Sequence, residues 1–340
     1  MKNRPKILLT GASGSIGYEV LKQLHQQSHK FDITVLGTTS KRSFKKLSSF
    51  KEGIAIVYGD IANNNDVKKV CANMDFVIHL AAIIPPLADE NPELALKVNT
   101  IGTENLIRNL EQLSPDAFLI YSSSISVYGD RLENPLIKVE DPLIPSERDK
   151  YAKTKIKAEH IICSSKLDWS IFRLTAIMGN HKVSKLMFHM PLATSIEIAT
   201  PEDTARALVL AIEKRFGISK KIFNLGGGIN CRTTYEELLT HMFEIFGLGK
   251  LNFPNKAFAE KNFHCGFYED GDDLENILHF RNDTMESYYI REKLKIPIWR
   301  KGLTSIFKNQ IKNLLLKKSE PYEAFINDDS IERQHYFKDG

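Results

Sequence analysis

The sequence lacks the features of a membrane-spanning, disulfide-rich or nucleic-acid-binding protein. None of its apolar runs approaches the roughly 20 residues that cross a bilayer, and the polar residues 1–6 lead straight into an apolar strand, so we expect no signal peptide. A formal net charge of +4 over 340 residues is too small and too dispersed to favour nucleic acid. The cysteines Cys71, Cys163, Cys231 and Cys265 have no metal-ligand spacing. We therefore expect free thiols, no metal site and a cytoplasmic location.

A glycine-rich turn follows the first apolar strand and opens a helix. The segment reads Ile7-Leu8-Leu9-Thr10-Gly11-Ala12-Ser13-Gly14-Ser15-Ile16-Gly17, and a helix-like run follows it. Gly11 permits the tight turn, Gly14 lets the main chain approach a pyrophosphate, and Gly17 allows close packing of helix on strand. The free N–H groups and the positive dipole end of the helix favour phosphate. The pattern predicts a dinucleotide site formed by Gly11, Ser13, Gly14, Ser15, Ile16 and Gly17.

Apolar segments alternate with helix-like segments over the first half of the chain, which is typical of a doubly wound parallel sheet. We therefore predict a Rossmann-type α/β fold with a smaller C-terminal α/β substrate lobe. The predicted division is a dinucleotide-binding domain at 1–178, to which 200–228 returns, a substrate lobe at 179–199 and 229–318, and a polar tail at 319–340. The predicted strands are Ile7–Leu9, Ile33–Leu36, Ile54–Val57, Phe76–Leu80, Phe118–Tyr121, Trp169–Leu174 and Lys221–Leu225, and the predicted helices are Tyr18–Gln27, Asp66–Ala72, Leu94–Leu113, Tyr151–Ser164, Pro201–Lys214 and Tyr235–Phe246.

Two further segments lie where the carboxyl ends of strands would meet a cofactor. Asp60 follows the third strand, where its carboxylate can accept the adenine amino hydrogen while Ile61 flanks the ring. The alternative is that Asp60 only ends the strand and caps the next turn. Ala81 and Ala82 follow the fourth strand, where small residues let the main chain pass close to the cofactor.

The strongest chemical signal joins the Ser122-Ser123-Ser124 strand end to Tyr151 and Lys155. Tyr151 lies 27 residues after Ser124, and Lys155 lies four residues further on, on the same face of a helix. An ammonium beside a phenol is expected to lower the pKa of the phenol toward the working range. Tyr151 is therefore a candidate proton donor or acceptor beside a carbonyl, and Ser124 can hydrogen-bond the same oxygen.

These ordered motifs resemble the extended short-chain dehydrogenase/reductase superfamily, the group often labelled NAD-dependent epimerase/dehydratase. The resemblance implies that Tyr151 is the general acid/base, that Lys155 holds the nicotinamide ribose and tunes Tyr151, and that Ser124 polarises the substrate oxygen. It implies that Asn99 supports the site, although Asn99 alone could be only a polar helix residue. The matching motifs run from residue 7 to about residue 230 and are Thr10-Gly11-x-x-Gly14-x-x-Gly17, Gly59-Asp60-Ile61, His79-x-Ala81-Ala82, Asn99-x-x-Gly102-Thr103, Ser122-Ser123-Ser124-x-x-Val127-Tyr128-Gly129, Tyr151-x-x-x-Lys155 and Phe172-Arg173-Leu174.

The same resemblance implies a reaction and an assembly. A hydride would move between C4 of a nicotinamide and a carbinol carbon, while the protein supplies position and electrostatics. The resemblance also implies a homodimer through the predicted helices Leu94–Leu113 and Tyr151–Ser164.

The residues after the second strand favour NADP over NAD. NAD-preferring sheets usually present an acidic residue there to bind the ribose hydroxyls, but Gly37 takes that position in this chain. Thr38, Ser40 and Arg42 follow, and hydroxyls with a cation suit a 2′-phosphate. The alternative is that the basic residues belong to a solvated surface, in which case NAD remains possible.

Departures from the pattern of the superfamily limit the reactions that we expect this chain to catalyse. The dehydratases that this chain resembles carry an Asp-Glu pair after the catalytic hydroxyl residue, whereas Ile125 and Ser126 stand here, so we do not expect dehydration. Sugar-nucleotide epimerases use a long insertion after the sixth strand to hold the nucleotide diphosphate, whereas only about twenty residues, among them His181 and His189, separate Gly179 from the helix start at Thr200 here. We therefore expect a reductase or dehydrogenase of a smaller, less charged carbonyl compound, with a sugar-nucleotide epimerase as the alternative. A binding protein without turnover is disfavoured because the Ser124, Tyr151 and Lys155 set is intact.

The C-terminal part of the chain is strongly basic between Arg291 and Lys318, where Glu292 is the one acidic residue. Apolar residues at near-helical spacing predict a basic amphipathic helix over 303–318. Such a helix could lie on an anionic membrane or an acidic partner. We favour the alternative that its apolar face closes the substrate lobe.

Overall fold

The computed structural model describes residues 4–50, 52–179 and 184–339. Short apolar segments form the strands and longer amphipathic segments form the helices between them. The strands are β1 Lys6–Thr10, β2 Asp32–Gly37, β3 Ile54–Tyr58, β4 Phe76–His79, β5 Phe118–Ser124, β6 Leu136–Ile137, β7 Asp168–Leu174, β8 Ala176–Ile177, β9 Ser195–Ala199, β10 Lys221–Leu225, β11 Arg232–Thr234 and β12 Phe267–Tyr268. The helices are α1 Ser15–Gln26, α2 Lys41–Leu47, α3 Asn64–Lys68, α4 Leu87–Glu90, α5 Pro92–Leu96, α6 Gly102–Leu113, α7 Lys150–Cys163, α8 Leu186–His189, α9 Pro201–Glu213, α10 Arg215–Ile218, α11 Tyr235–Phe246, α12 Asp272–Leu278, α13 Met285–Leu294, α14 Ile298–Ile306, α15 Lys308–Leu316, α16 Glu320–Ile326 and α17 Ser330–Tyr336.

Seven of the strands form one parallel sheet in the order β10-β7-β5-β4-β1-β2-β3. The central strand β1 is buried on both faces. Ile7 and Leu9 pack with helices α1 and α9 on one face, and Leu8 packs with α6 and α7 on the other. The strand order reverses between β1 and β4, and the crevice at this switch point is where such sheets bind nucleotides. The predicted Rossmann-type sheet is confirmed.

The predicted helix Leu94–Leu113 is interrupted in the structure. Helix α5 ends at Leu96, residues Lys97–Ile101 form a wider π-helical turn, and α6 begins at Gly102. Such turns are frequently found at functional sites. The helix predicted to begin at Pro201 does so in the structure, where the Thr200 hydroxyl accepts a hydrogen bond of 3.1 Å from the Asp203 N–H and caps α9.

A second, smaller core lies beside the carboxyl edge of the sheet. Strands β8, β9 and β11 form a three-stranded sheet, and β6 pairs with β12. Phe188, Phe258, Tyr235 and Leu238 belong to the apolar cluster that joins this sheet to α11. Strand β10 lies in the large sheet and α9 packs on α1. The exact domain boundaries stay predictions.

The segment predicted as a polar tail is folded against its own chain over the described residues 319–339. Helices α16 and α17 bury Ala324, Tyr336 and Phe337 in a cluster with Ala259. The main-chain N–H of Glu260 donates to the Tyr336 carbonyl at 2.8 Å. Only a few apolar residues form this cluster, and polar residues surround them in the sequence, so the sequence pattern does not indicate that the segment is folded.

The basic C-terminal segment also differs from the single helix predicted over 303–318. It divides at Phe307 into α14 and α15. Helix α15 buries the aliphatic stem of Lys312 and packs Leu315 and Leu316 against the smaller core, as the favoured interpretation requires. Helix α14 does not close the lobe and leaves its apolar side chains exposed. Within the described ranges, none of the helices combines the length and the apolar character that a bilayer span requires.

Candidate dinucleotide and active site

The glycine-rich turn between β1 and α1 is built so closely that side chains cannot replace two of its glycines. Gly11 has φ +76°, and a Cβ on it would stand 2.6 Å from the Leu80 carbonyl carbon. A Cβ on Gly17 would stand 2.2 Å from the Gly11 carbonyl oxygen. The Gly14 N–H donates to that same oxygen at 3.0 Å. The turn therefore presents bare main chain at the switch point of the sheet.

Helix α1 begins at Ser15 with Gly14 as its cap, so no side chain satisfies its first N–H groups. Its first turn carries no acidic residue, and its positive dipole end favours an anion. Lys46 adds a positive charge, because its ammonium donates to the Ser13 carbonyl at 3.0 Å. Burial lowers the pKa of Lys46, and the nearby Arg42 lowers it further. Sequence reasoning missed Lys46, although its spacing of four from Arg42 places both on one side of α2.

Gly37, the last residue of β2, is closely surrounded by side chains. A Cβ on Gly37 would stand 2.9 Å from Leu47 Cδ1 and 3.3 Å from Ser43 Oγ. The Ser40 hydroxyl accepts from the Ser43 N–H at 3.2 Å and caps α2, while it also contacts Thr38 Oγ1 at 3.0 Å. Arg42 is exposed in the first turn of α2. A larger residue at position 37 would require Leu47 and Ser43 to shift, and Gly37 itself supplies no carboxylate.

The predicted adenine contacts at Asp60 and Ile61 lie at the end of β3. Asp60 Oδ1 accepts from the Ala62 N–H at 2.9 Å, as the turn-capping alternative requires. The Asp60 residue is exposed, and Ile61 is buried against Gly102. Capping uses one carboxylate oxygen, so this geometry is compatible with both interpretations of Asp60.

The end of β4 is tied to β1 by a buried histidine. His79 Nδ1 lies 2.7 Å from Thr10 Oγ1, and its Nε2 lies 3.0 Å from Thr103 Oγ1. Burial lowers the pKa of His79 to about 3, with a smaller contribution from Lys155, so the ring is neutral. The Ala81 N–H donates to Thr10 Oγ1 at 3.2 Å. Ala81 and Ala82 follow directly, half-buried at the edge of the crevice.

Ser124, Tyr151 and Lys155 come together at the carboxyl edge of the sheet. Ser124 is the last residue of β5, and Tyr151 and Lys155 share one face of α7. Ser124 lies close enough to Tyr151 for its side chain to lower the pKa of the phenol. Lys155 Nζ lies 5.8 Å from the centre of the Tyr151 ring and donates to the Ser122 carbonyl at 2.7 Å. Residues separated by 27 positions thus form one polar group beside the glycine-rich turn.

The electrostatics of this group differ from the sequence expectation. Burial lowers the pKa of Lys155 to about 7, opposed by the Glu159 carboxylate. Burial also raises the pKa of Tyr151, and the nearby Ser124 side chain offsets only part of this rise. The ammonium does not lower the pKa of the phenol in this arrangement, because Lys155 is directed to the Ser122 carbonyl and desolvation dominates.

Asn99 lies in the π-helical turn and holds two segments together. Its Oδ1 accepts from the Ile83 N–H at 2.7 Å, and its Nδ2 donates to the Ile83 carbonyl at 2.9 Å. The same Nδ2 donates to Thr154 Oγ1 at 2.9 Å. Asn99 therefore anchors the loop after β4 to helix α7 next to Tyr151, rather than being only a polar helix residue.

Sequence reasoning missed a charged cluster beside Tyr151. Asp149 Oδ2 lies 3.0 Å from His264 Nδ1, while its Oδ1 caps α7. Burial raises the pKa of Asp89, and the Asp149 charge raises it further. On the same side of the molecule, His189 Nε2 lies 2.8 Å from Glu320 Oε2. These contacts join residues far apart in the sequence, so spacing gave no signal; His181 lies outside the described residues.

The described side chains form no cluster of metal ligands. In the part of the chain that the structure describes, no three His, Cys, Asp or Glu side chains come together as a metal ion would require. Among the described cysteines, Cys71, Cys231 and Cys265 are buried and Cys163 is exposed, and all four are free thiols.

The fold and this edge of the sheet together define a dinucleotide-binding α/β protein. A model of the NAD dependent epimerase/dehydratase family matches residues 7–226, which include the glycine-rich turn, Ser124, Tyr151 and Lys155. The chain belongs to this family.

Proteins similar to this chain differ in what they act on. The chain is 28% identical over 167 residues to a 3-beta-hydroxysteroid dehydrogenase of Mycolicibacterium neoaurum, and this match covers 46% of the chain and only 42% of that relative. A UDP-glucuronic acid 4-epimerase of Bacillus cereus, solved with UDP-glucuronic acid and NAD, is 21% identical, with TM-score 0.69 over 88% of this chain and 99% of that chain. A dTDP-glucose 4,6-dehydratase of Streptomyces venezuelae, solved with NAD, is 20% identical, with TM-score 0.70 over 86% of this chain and 98% of that chain. At such identities the two structures establish the fold.

Proposed function

We propose that this protein is an NAD(P)-dependent oxidoreductase that transfers a hydride to or from a carbonyl or alcohol substrate. The observation that carries the proposal is the meeting of Ser124, Tyr151 and Lys155 at the sheet edge beside a bare glycine-rich turn. The close main-chain packing at Gly11 and Gly17 supports the proposal, because it fixes the turn that leaves the N-terminus of α1 without a side-chain cap and free to bind a pyrophosphate.

Each residue of the site has a distinct task in this reaction. The nicotinamide, when bound, supplies or accepts the hydride. Tyr151 Oη donates a proton to the substrate oxygen during reduction or takes it during oxidation, so that hydride and proton together interconvert carbonyl and alcohol. The Ser124 hydroxyl hydrogen-bonds the same oxygen. Lys155, whose ammonium lies beside Tyr151, would bind the nicotinamide ribose hydroxyls and so hold the cofactor next to the phenol.

The other predicted cofactor residues surround this centre. The N–H groups of Ser13, Ser15, Ile16 and Gly17 would bind the pyrophosphate, Gly11 shapes the turn, and Gly14, whose own N–H closes the turn on Gly11, lets the main chain approach the phosphates. Asp60 and Ile61 hold the adenine, and Ala81 and Ala82 let the main chain pass beside the nicotinamide. Asn99 is a positioning residue that keeps the loop after β4 in place. The homodimer and the cytoplasmic location stay predictions.

Substitution of the phenol tests the proposal. Tyr151→Phe keeps the ring and removes the proton, so turnover should fall by about 10²–10⁴-fold while the dissociation constant of the cofactor stays near the wild-type value. Turnover is measured as NADPH consumption with the best substrate from a panel of carbonyl compounds. Tyr289→Phe is the matched control, because Tyr289 stacks on His241 away from the site and should retain full activity. Equal activity of Tyr151→Phe and wild type would refute the role of the phenol.

NADP is the preferred cofactor in this proposal. Gly37 is enclosed by neighbouring side chains and carries no carboxylate, while Arg42 and Lys46 bring two positive charges close together. A 2′-phosphate would relieve the repulsion between these cations. Arg42→Ala should weaken NADP binding by about tenfold or more and leave NADH and NAD binding nearly unchanged. Lys45→Ala, an exposed cation of the same helix, is the control, and equal losses for both cofactors would place the phosphate elsewhere.

A sugar-nucleotide epimerase is the second candidate. A cavity of about 400 Å³ opens beside the loop after β4, but three lysines and three glutamates line it, so its charge does not select a phosphate-bearing substrate. The support for an epimerase is the family of the chain and its likeness to the UDP-glucuronic acid 4-epimerase. An epimerase keeps its cofactor bound and shows no net redox. Denaturing the purified protein and measuring released NAD separates the candidates, because one NAD per chain favours the epimerase and counts against the reductase.

A further inference from the structure

Helix α14 directs its apolar side chains away from the protein. Ile298, Trp299, Leu303 and Ile306 are 92%, 67%, 50% and 71% exposed, and at about 100° per residue they lie within an arc of about 140°. Thr304 is the one half-buried residue of this fully described helix, and it lies about 170° from the middle of the arc. The helix therefore contacts the protein through its polar side, whereas a helix that closes a core contacts it through its apolar side.

Positive charges border this apolar arc. Arg300 and Lys301 are exposed and each lies about 60° beyond one edge of the arc. Leu294 before the helix and Phe307 after it are also exposed. Nine Lys or Arg residues and one acidic residue occupy the sequence from Arg291 to Lys318. We name this surface the basic apolar face and define it as Leu294, Ile298, Trp299, Arg300, Lys301, Leu303, Ile306, Phe307 and Lys308.

We propose that the basic apolar face docks on an anionic phospholipid bilayer, with α14 lying parallel to the membrane plane. Trp and aliphatic side chains on one side of a helix, bordered by Lys and Arg, match the boundary between acyl chains and negatively charged headgroups. Charge selects this occupant over a second copy of the chain, because two such faces would bring like charges together. The docking is independent of the reaction proposed above.

Tryptophan fluorescence of the full chain reads this docking directly. The chain has two tryptophans, and Trp169 is buried in β7 whereas Trp299 lies at the centre of the face. Phosphatidylcholine vesicles containing phosphatidylserine should shift the emission of Trp299 to shorter wavelength, and vesicles of phosphatidylcholine alone should not. The Trp169→Phe variant should retain the shift and the Trp299→Phe variant should lose it. A shift that survives in Trp299→Phe would overturn the proposal.

Co-sedimentation with the same vesicles measures the strength of docking. Ile298→Glu should abolish binding, and Arg300→Gln should weaken it about fivefold, with further weakening as salt is raised. Phe216→Glu is the matched control, because Phe216 is 95% exposed outside the face and should bind like wild type. Unchanged thermal unfolding of Ile298→Glu shows that the fold is intact. The proposal is overturned if anionic vesicles bind no better than neutral ones, or if Ile298→Glu instead dissociates a dimer formed without lipid.

Discussion

A buried ion pair between Glu159, one turn of α7 after Lys155, and Arg173 allows a test of how much a buried charge pair stabilises the fold. Arg173 Nη2 lies 2.8 Å from Glu159 Oε2, and Arg173 Nε lies 3.1 Å from Glu159 Oε1. The two side chains are only 4% and 3% exposed. Glu159 also accepts from the Ser123 hydroxyl, and Arg173 donates to Tyr128 Oη at 2.7 Å. Replacing Glu159 by alanine would leave a guanidinium buried without a counter-charge.

The expected loss follows from the geometry of the pair. Opposite charges about 4 Å apart attract by about 4 kcal/mol at an effective dielectric constant of 20. Breaking a buried pair by removing one partner costs about 3–5 kcal/mol, because the remaining charge stays desolvated. Since the free energy of unfolding of a domain is about 5–15 kcal/mol, Glu159→Ala should remove about 4 kcal/mol, a large share of it.

Urea unfolding measures this loss against a matched surface pair. Glu104 contacts Arg108 at 2.9 Å on the exposed side of α6, so Glu104→Ala should cost only about 0.3–0.5 kcal/mol. Replacing both Glu159 and Arg173 by methionine should recover most of the loss, because no buried charge remains. Equal losses for Glu159→Ala and Glu104→Ala at unchanged m-value would refute the reasoning.

Three further outcomes are expected. Gly17→Ala should lower the free energy of unfolding by about 1–3 kcal/mol and abolish cofactor binding, because the new Cβ would stand 2.2 Å from the Gly11 carbonyl oxygen. Gly302→Ala is the control, because a Cβ there meets open space and should not destabilise the protein. Calorimetry and cofactor titration measure the two effects. Burial lowers the pKa of Lys155 from 10.5 to about 7, so the unfolded chain binds more protons between these values. Lys155→Met should therefore be more stable than wild type at pH 7, by a margin that shrinks toward pH 10.5, and a constant margin would contradict this. Phe337→Ala should cost about 3–5 kcal/mol in urea unfolding and the exposed Phe216→Ala almost nothing; equal values would mean that α17 does not pack as described.

Much of the nucleotide side of the site could be predicted because its signals are local. A left-handed turn needs Gly11, a close helix–strand contact needs Gly17, and a spacing of four places Tyr151 and Lys155 on one helix face. The alternation of apolar and helix-like segments likewise predicted the parallel sheet, because the apolar residues of each strand are the residues that the fold buries. These features depend on a few consecutive residues, and tertiary context does not alter them.

Other features depend on which distant residues meet. The contact of Lys46 with the Ser13 carbonyl, the pairing of Asp149 with His264 and the packing of Phe337 are set by the tertiary fold. The same holds for the pKa of Tyr151, because the sequence shows its neighbouring cation but not its desolvation. The sequence by itself determined the class of fold and named the candidate site residues. Only the tertiary structure decided their protonation, the folding of residues 319–339 and the outward direction of α14, because burial is a property of the assembled chain.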